Sequence, residues 1–276
     1  MTHELVRLAE RAHAHDGVAP FNEASLRAID SGAAARVAIT RRGAGHELVA
    51  AAYASGDAPV EIVVDPALRR RGHGTDVLAD VLAAGETQVW AHGDLPGASV
   101  LAERTGLRAV RSLLVLRRDL AGSGRETVPI GVTIRTYVPD DAEQLIAVNA
   151  RAFASHPEQG AMDAADLDQR MSAAWFDPLG LFVAERDGHL VGFHWTKVHD
   201  DEDPPLGEVY VVGVDPSAQG IGLGAALTAR GLRHLAEAGL RNVILYVEAD
   251  NEPALATYHR LGFTEHLRDT LYALTR

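Results

Sequence analysis

Two short runs of this chain have the residue types and spacing of a phosphate-binding turn. Residues 69–74 read Arg-Arg-Arg-Gly-His-Gly, and residues 219–224 read Gln-Gly-Ile-Gly-Leu-Gly. Each run follows an apolar stretch of β-strand character and opens an Ala/Leu-rich helical stretch. Backbone N–H groups at a helix N-terminus can bind a phosphate, and glycine lets the ligand approach the backbone closely. The two runs therefore predict two nucleotide-type binding turns.

The two turns belong to a longer repeat. Each is preceded by Val-Asp-Pro, and the two aspartates, Asp65 and Asp215, lie 150 positions apart. Small and polar residues at 121–129 separate the copies and are typical of a linker. We therefore expect two domains built on one plan, residues 1–124 and residues 125–276.

Strand and helix patterns alternate around both turns. The predicted strands are 60–64, 87–91 and 113–116 in the first copy, and 132–137, 181–185, 190–197, 207–214, 242–248 and 270–274 in the second. The predicted helices are 72–84, 98–104, 140–153, 164–175, 222–238 and 252–261. Antiparallel strands followed by a β-helix-β crossover predict the α/β (α+β) class, with a mixed central β-sheet flanked by helices in each domain.

Composition excludes several classes of protein. The 276 residues carry a net charge of −12, so we expect no general binding to nucleic acid or to acidic membranes. The absence of cysteine excludes disulfides, thiol nucleophiles and cysteine-bound metals. No apolar run approaches the length of a membrane span, and the N-terminus has no signal-peptide pattern. His194 and His199 lack the spacing of a metal site and are expected to be structural or solvated. We expect a cytoplasmic monomer with no metal.

A second motif follows the later turn. It comprises residues 250–254, Asp-Asn-Glu-Pro-Ala, then Tyr258 and the Leu-Gly-Phe of residues 261–263. Together with the glycine turn, this motif resembles the acetyl-CoA signature of the GNAT superfamily of N-acetyltransferases. Further segments resemble the mycothiol synthase family, whose members are tandem acetyltransferases: 16–20 with Glu23, 90–93, 156–160, 174–178, 192–199 and 207–211.

The resemblance implies an acyltransferase made of two tandem GNAT domains. It implies acetyl-CoA as the donor. The implied acceptor is the cysteinyl amine of cysteinyl-glucosaminyl-inositol, a cysteinyl pseudodisaccharide, in the last step of mycothiol biosynthesis.

The same resemblance assigns site residues. The acetyl-CoA contacts expected in the first copy are Ile62, Val63, Val64, Arg70, Arg71, Gly72, His73, Gly74 and Thr75. Those expected in the second copy are Val212, Gly213, Val214, Gln219, Gly220, Ile221, Gly222, Leu223, Gly224, Ala225 and Asn251. The expected acceptor contacts are Glu23, Glu158, Lys197, Glu208 and Tyr258.

Acyl transfer from a thioester to an amine needs a proton acceptor and a proton donor. An α-amine has a pKa of about 7.7–8.0, so it is mostly protonated near neutral pH. Glu208 is the candidate base, acting directly or through a water. A tyrosine with a pKa near 10 would protonate a cysteine-like thiolate, with a pKa near 8.5, at a cost of about 2 kcal/mol. Desolvation makes the thiolate more basic and reduces this cost, so Tyr258 is the candidate acid.

The two copies differ in these proton-transfer groups. When the copies are aligned on their shared motifs, Glu208 falls on Ala58 and Tyr258 on Ala102. Glu61 is nearer to its turn than Glu208, and on regular strands the two side chains would point to opposite faces, although a bulge would reset this. We therefore expect the second copy to be the catalyst and the first to bind acetyl-CoA without reacting.

Two other functions remain open on the sequence alone. The same fold could acetylate another primary amine, such as an aminoglycoside-like sugar or a protein N-terminus. The chain could also be a non-catalytic acetyl-CoA sensor, in which case the second copy should have lost Glu208 or Tyr258. It has kept both residues.

Overall fold

The computed structural model describes residues 2–122, 126–154, 160–200 and 202–275. Its contacts divide the chain into two compact units. The first comprises Met1–Leu114, Glu248–Asp250 and Leu267–Arg276, and the second comprises Val115–Val247 and Asn251–His266. The expected domain boundary at residues 124 and 125 lies outside the described residues and stays a prediction.

The first unit contains a mixed sheet with helices on both faces. Its helices are α1 (Thr2–Asp16), α2 (Glu23–Ser31), α3 (His73–Ala83) and α4 (Pro96–Arg104). Its strands are β1 (Val37–Arg42), β2 (Leu48–Ala54), β3 (Val60–Val64), β4 (Gln88–Ala91), the first part of β5 (Leu107–Asp119) and most of β11 (Thr264–Leu274). In the order β1-β2-β3-β4-β11, only the β3–β4 pair is parallel.

The second unit repeats this plan. Its strands are β6 (Thr133–Thr136), β7 (Leu181–Arg186), β8 (His189–His199), β9 (Leu206–Val214) and β10 (Asn242–Glu248). Its helices are α5 (Ala142–Ala152), α6 (Ala164–Met171), α7 (Leu223–Glu237) and α8 (Glu252–Arg260). Only the β9–β10 pair is parallel in the order β6-β7-β8-β9-β10. The expected α/β class, with a mixed sheet flanked by helices, is confirmed.

Each sheet is buried on both faces, which fixes its strands in register. In the first unit, Val63 packs with α1 and α2, whereas Val60 packs with α3 on the other face. In the second unit, Val211 packs with α5 and α6, and Val214 lies on the α7 face. The helix that follows each glycine turn therefore covers one face, and a pair of other helices covers the opposite face.

The sequence analysis misses the first four elements of the chain. In α1 the buried residues Leu5, Leu8, Ala9 and Ala12 recur at helical spacing. β2 is buried along its whole length, so it has no polar alternation to mark it as a strand. The elements from β3 onward lie close to the predicted positions, although β5 and β11 are longer than expected.

The end of the expected linker is fixed to the second unit. The carboxylate of Glu126 accepts hydrogen bonds from Arg230 at 2.8 and 2.9 Å and from Arg233 at 2.5 Å, all on α7. Burial disfavours the charged carboxylate, but the two guanidinium groups outweigh it and lower the pKa of Glu126. Residues that resemble a free linker in sequence are therefore anchored at Glu126.

Candidate functional site

The two parallel strands of the second unit separate just beyond Glu208. β9 pairs with β10 at Gly207–Val243 and at Glu208–Ile244, and no pairing nearer the glycine turn is recorded for the described residues of these strands. β9 itself continues to pair with β8 as far as Val214. Its backbone groups on the β10 side are therefore open to another partner, and backbone N–H and C=O groups require one when they are buried. An extended ligand could lie in this gap and pair with β9.

A β-bulge decides which face Glu208 occupies. Val211 pairs with Trp195, and Val209 pairs with the next residue of β8, so Tyr210 is an extra residue on β9. An extra residue shifts the alternation of side chains by one position. Glu208 therefore shares the face of Val211, opposite the face covered by α7.

The turn that follows β9 is held by Asp215. Its carboxylate accepts hydrogen bonds from the backbone N–H of Ser217 at 2.9 Å and from Arg151 of α5 at 2.5 Å. The next turn residues, Gly220 and Gly222, have φ angles of 78° and 87°. Only glycine adopts this left-handed region at low cost, which explains the residue type at both positions. Gly222 leads directly into α7, so the first N–H groups of α7 point toward the turn.

The predicted acetyl-CoA residues of the second copy are therefore brought together in one unit. Val212–Val214 lie on the divergent part of β9, residues 219–222 form the turn, and residues 223–225 begin α7. Asn251 is the N-cap of α8, where its side chain accepts a hydrogen bond from the N–H of Ala254 at 3.2 Å. This arrangement offers backbone donors and a positive helix terminus to a phosphate.

Glu208 is buried and has an imidazole partner. Its Oε2 lies 2.7 Å from Nε2 of His199, and only 6% of the residue is exposed. Lys197 is its register partner on β8. The Lys197 ammonium lies 5.4 Å from the ring centre of Trp175, which contacts Tyr210 and Trp195. Glu208 and Lys197 are thus brought together beside an aromatic cluster.

Tyr258 lies half-buried on α8. Its ring contacts Phe263 edge to face at a centroid distance of 5.8 Å. Burial disfavours the phenolate and raises the pKa of Tyr258 to about 12. The hydroxyl therefore carries its proton throughout the physiological pH range.

The first unit has a matching turn that opens on a cavity of about 860 Å³. Asp65 accepts hydrogen bonds from the N–H of Ala67 at 3.1 Å and from Arg11 of α1 at 2.8 Å, as Asp215 does from its own partners. The lining contains the divergent residues of β3 and the start of α3, and so brings together eight of the nine predicted acetyl-CoA contacts of this copy: Ile62, Val63, Val64, Arg70, Gly72, His73, Gly74 and Thr75.

The three arginines of this turn have different environments. Arg69 is bound to Asp16 through two hydrogen bonds of 2.5 and 2.7 Å, so its guanidinium is already neutralised by a carboxylate. Arg70 has a φ of 64°, in the place where the second turn has Gly220. A non-glycine residue pays roughly 1–2 kcal/mol for this conformation. Arg70 and the exposed Arg71 are the turn's candidates for phosphate contact.

Glu61 occupies the place in the first unit that Glu208 has in the second. β3 pairs with β4 at Val60–Val89 and at Glu61–Trp90, and the strands separate beyond that point. Glu61 also lies on the face opposite the helix after the turn, since β3 has no bulge against β2. The expectations that the first copy has no carboxylate here, and that the two glutamates face opposite ways, are wrong. The bulge and a longer divergent segment in β9 explain the error.

The Glu61 carboxylate is held by its neighbours. Its Oε1 accepts a hydrogen bond from the N–H of Asn22 at 2.9 Å and lies 2.6 Å from Nε2 of His92. Nδ1 of His92 lies 3.0 Å from Asp269, which also accepts the N–H of Gly93 at 2.8 Å. Glu61 is fully buried, and the imidazole lies between two carboxylates at the cavity wall. We call these three side chains the Glu61–His92–Asp269 cluster.

The Tyr258 position has no equivalent phenol in the first unit. The nine-residue helices α4 and α8 each end two residues before a glycine of positive φ, Gly106 or Gly262. This correspondence places Ala102, a buried residue, where α8 has Tyr258.

Two expected acceptor contacts stay predictions. Glu23 is on α2 of the first unit, where it lies 3.8 Å from Arg27. Glu158 lies outside the described residues. The sequence analysis also missed His92 and Asp269 and expected no functional role for His199. The signal for His92 was present in residues 90–93, but its partner Asp269 is 177 positions away.

The chain resembles known proteins along almost its whole length. A family model described as "Acetyltransferase (GNAT) family" matches residues 148–263. A protein of Thermomonospora curvata named mycothiol acetyltransferase is 50% identical, over 98% of this chain and 92% of that protein. One of the same name from Clavibacter sepedonicus is 49% identical, over 97% and 90%.

Two solved structures share the fold. A GCN5-related N-acetyltransferase from Sphaerobacter thermophilus superimposes with a TM-score of 0.74 at 24% identity, covering 98% of this chain and 90% of that one. A tandem GNAT protein from the clavulanic acid biosynthesis pathway gives 0.70 at 20% identity, covering 98% and 93%. The tandem GNAT fold expected from the sequence is confirmed.

The Glu61–His92–Asp269 cluster should make the stability of the first unit depend on pH. Burial disfavours the imidazolium, but hydrogen bonds to Asp269 and Glu61 outweigh it and raise the pKa of His92 from 6.5 to about 9. The stabilisation is complete below the unfolded pKa and is lost as the pH rises through about 9. His92→Gln should therefore cost up to about 3 kcal/mol in the free energy of unfolding at pH 6, and clearly less at pH 10. Urea denaturation at the two pH values measures the difference.

The exposed His13→Gln variant is the control for loss of an imidazole. An effect of His92→Gln that is equally large at pH 6 and pH 10 would contradict a charged His92.

Proposed function

Because the chain belongs to the mycothiol acetyltransferase family, we propose that it transfers the acetyl group of acetyl-CoA to the cysteinyl amine of cysteinyl-glucosaminyl-inositol, with the second unit as the catalyst. The observation that carries this proposal is the arrangement along β9 and α7. A buried carboxylate, Glu208, stands where two parallel strands separate, and a glycine turn at a helix N-terminus ends the same strand.

The second unit suits a ligand with a phosphate at one end and an extended arm. The turn supplies backbone N–H groups, and its own carboxylate, Asp215, is already neutralised by Arg151. The open side of β9 can hydrogen-bond an amide-containing arm as a strand would. Acetyl-CoA supplies the acetyl group as a thioester, whose carbonyl a backbone N–H of β9 could polarise.

Glu208 fits the role of the base. The acceptor amine must lose a proton to become nucleophilic, and a carboxylate next to the opening between the strands can take it directly or through a water. Of the two carboxylate oxygens, Oε2 is bound to His199, which leaves Oε1 to face the amine. Lys197 and the aromatic residues around it offer hydrogen-bonding and stacking surfaces to a sugar-bearing acceptor.

Tyr258 fits the role of the acid, although complete transfer of its proton costs more free energy than the sequence suggests. Its pKa of about 12 exceeds the roughly 8.5 of a simple thiol, which corresponds to about 5 kcal/mol for complete proton transfer. The thiolate leaves into the same poorly hydrated surroundings, where it too becomes more basic. A hydrogen bond from the Tyr258 hydroxyl to the sulfur, donated while the carbon–sulfur bond breaks, would thus help the thiolate to leave without forming a free phenolate.

The first unit would bind acetyl-CoA without turning it over. Its cavity and turn suit the ligand, but Ala102 replaces the phenol, and Glu61 is bound by Asn22 and His92 at Oε1 while its Oε2 is buried without a hydrogen-bond partner. With alanine at this position, the first unit would have no proton donor there for a departing thiolate.

The acceptor and the base can be tested together. Turnover should be observed with cysteinyl-glucosaminyl-inositol and not with aminoglycosides or peptide N-termini, measured as thiol release from acetyl-CoA. Glu208→Gln should lower kcat/KM by about 100-fold or more, with the largest loss at low pH where the amine is most protonated. The exposed Glu237→Gln on α7 is the control. An unchanged low-pH limb in Glu208→Gln would refute the role of the base, and acetylation of an aminoglycoside at a comparable rate would refute the acceptor.

Tyr258→Phe tests the acid. The variant should lower kcat by about 100-fold with little change in acetyl-CoA affinity, because the ring stays and only the hydroxyl group is lost. With a pKa of about 12, Tyr258 should add no basic limb to the wild-type kcat profile below pH 10. Tyr137→Phe, at a half-buried tyrosine next to β6, is the control. An unaltered kcat in Tyr258→Phe would reject the assignment.

Isothermal titration calorimetry tests the first unit. Acetyl-CoA should bind the whole protein at two sites. The double variant Arg70→Ala/Arg71→Ala should weaken one of them by roughly tenfold or more while turnover persists. Arg108→Ala, an exposed arginine outside the lining of the 860 Å³ cavity, should leave both sites intact. A single site in the wild type would show that the first turn is vestigial.

A further inference from the structure

The structure gives the base of the proposed reaction a partner that the sequence analysis expected to be structural or solvated. His199 is the last residue of β8, and its Nε2 lies 2.7 Å from Oε2 of Glu208. The side chains of both residues are largely buried, at 20% and 8% exposed. A carboxylate can only accept a hydrogen bond, so Nε2 of His199 carries the proton that joins them.

The same pairing occurs independently in the first unit. There Glu61, at the corresponding end of strand pairing, lies 2.6 Å from Nε2 of His92. The two histidines come from different parts of the fold, since His199 ends β8 and His92 follows β4. What recurs is therefore an arrangement of a carboxylate and an imidazole at the place where the strands separate, and not a copied sequence motif.

The two pairs differ at the second ring nitrogen. Nδ1 of His92 is bound to Asp269, and the imidazole between two carboxylates is held in its charged form. No second carboxylate is recorded against His199 among the residues that the structure describes. The imidazole of His199 is therefore bound to one carboxylate, whereas that of His92 is bound to two.

We infer that His199 is a positioning residue for Glu208, an inference that rests on the proposed function of that carboxylate. The hydrogen bond fixes one oxygen of Glu208 and directs the other toward the acceptor amine. A hydrogen bond donated to a carboxylate also favours its ionised form over its protonated form. His199 thus helps to hold the carboxylate of Glu208 in place as a proton acceptor.

Several other titratable or charged groups lie on the strands beside β9 and on the helices that cover its two faces. They are Lys197 on β8, Tyr210 on β9, Tyr246 on β10, Arg170 on α6, Arg151 on α5, and Arg230, Arg233 and His234 on α7. Arg151 is bound to Asp215, Arg170 donates to Tyr210, and the three α7 residues contact Glu126 or Asp177. Among these groups Lys197 is the register partner of Glu208, so every variant below retains it.

The test compares two substitutions at His199 over a range of pH. His199→Leu removes the donor and should lower kcat/KM by roughly tenfold to a hundredfold near neutral pH, the value of one hydrogen bond to a charged group. Its acidic limb should move to higher pH, with activity recovering as the pH rises. His199→Gln keeps an amide N–H that can reach the same oxygen, and should retain most of the activity. His189→Leu, at the exposed first residue of the same strand, is the matched control. Acetyl-CoA binding by calorimetry should be the same in all variants.

Combination with Glu208→Gln separates this inference from the proposed function. In that background His199→Leu should have no further effect, because the group that it positions is gone. A loss in His199→Leu that is equal at every pH, or no rescue by His199→Gln, would overturn the positioning role and leave Glu208 as the base. Full activity of Glu208→Gln alone would instead overturn the base itself.

Discussion

The separation of two parallel strands is the constraint on which the rest of the molecule depends. In each unit the pairing ends after two residue pairs, and the glutamate is the last paired residue. This separation leaves a stretch of backbone without hydrogen bonds from the neighbouring strand. It also creates a gap that is bounded along its length by the edge of one strand and at its far end by a helix N-terminus. A ligand with an amide-bearing arm and a phosphate is complementary to both features.

The two units surround the glutamate at this position differently. A carboxylate in a buried place is costly unless it has hydrogen-bond partners. In the first unit, Glu61 obtains them from Asn22 and from His92, which is itself held by Asp269. In the second, Glu208 is held by His199 at one oxygen. In both units one carboxylate oxygen is bound by an imidazole, and in the first unit that imidazole is also bound to a second carboxylate, Asp269.

The sequence could predict the parts of the site that follow from local pattern. The turns, their helices and Tyr258 within its motif are local, and the structure has these elements where the spacing predicts them. Counting residues back from the turn could not show that Glu61 corresponds to Glu208. β9 has a bulge at Tyr210 and a longer divergent segment than β3, so the two glutamates lie at different distances from their turns. The Glu61–His92–Asp269 cluster was also out of reach, since the last strand of the chain supplies Asp269 to the first unit. α1 and α2 went unpredicted, although their buried positions follow a helical period.

An acyl transfer to an amine needs one group ready to take a proton and another ready to give one at the same pH. A shared environment would push both groups the same way, so they must be surrounded differently. Desolvation of Tyr258 disfavours its phenolate, which keeps the proton in place. Glu208 accepts a hydrogen bond from His199 and has Lys197 as its register partner on the neighbouring strand. In the first unit, Ala102 stands at the position that corresponds to Tyr258, and the imidazole beside Glu61 is also bound to Asp269, so the two units differ in the groups next to their separating strands.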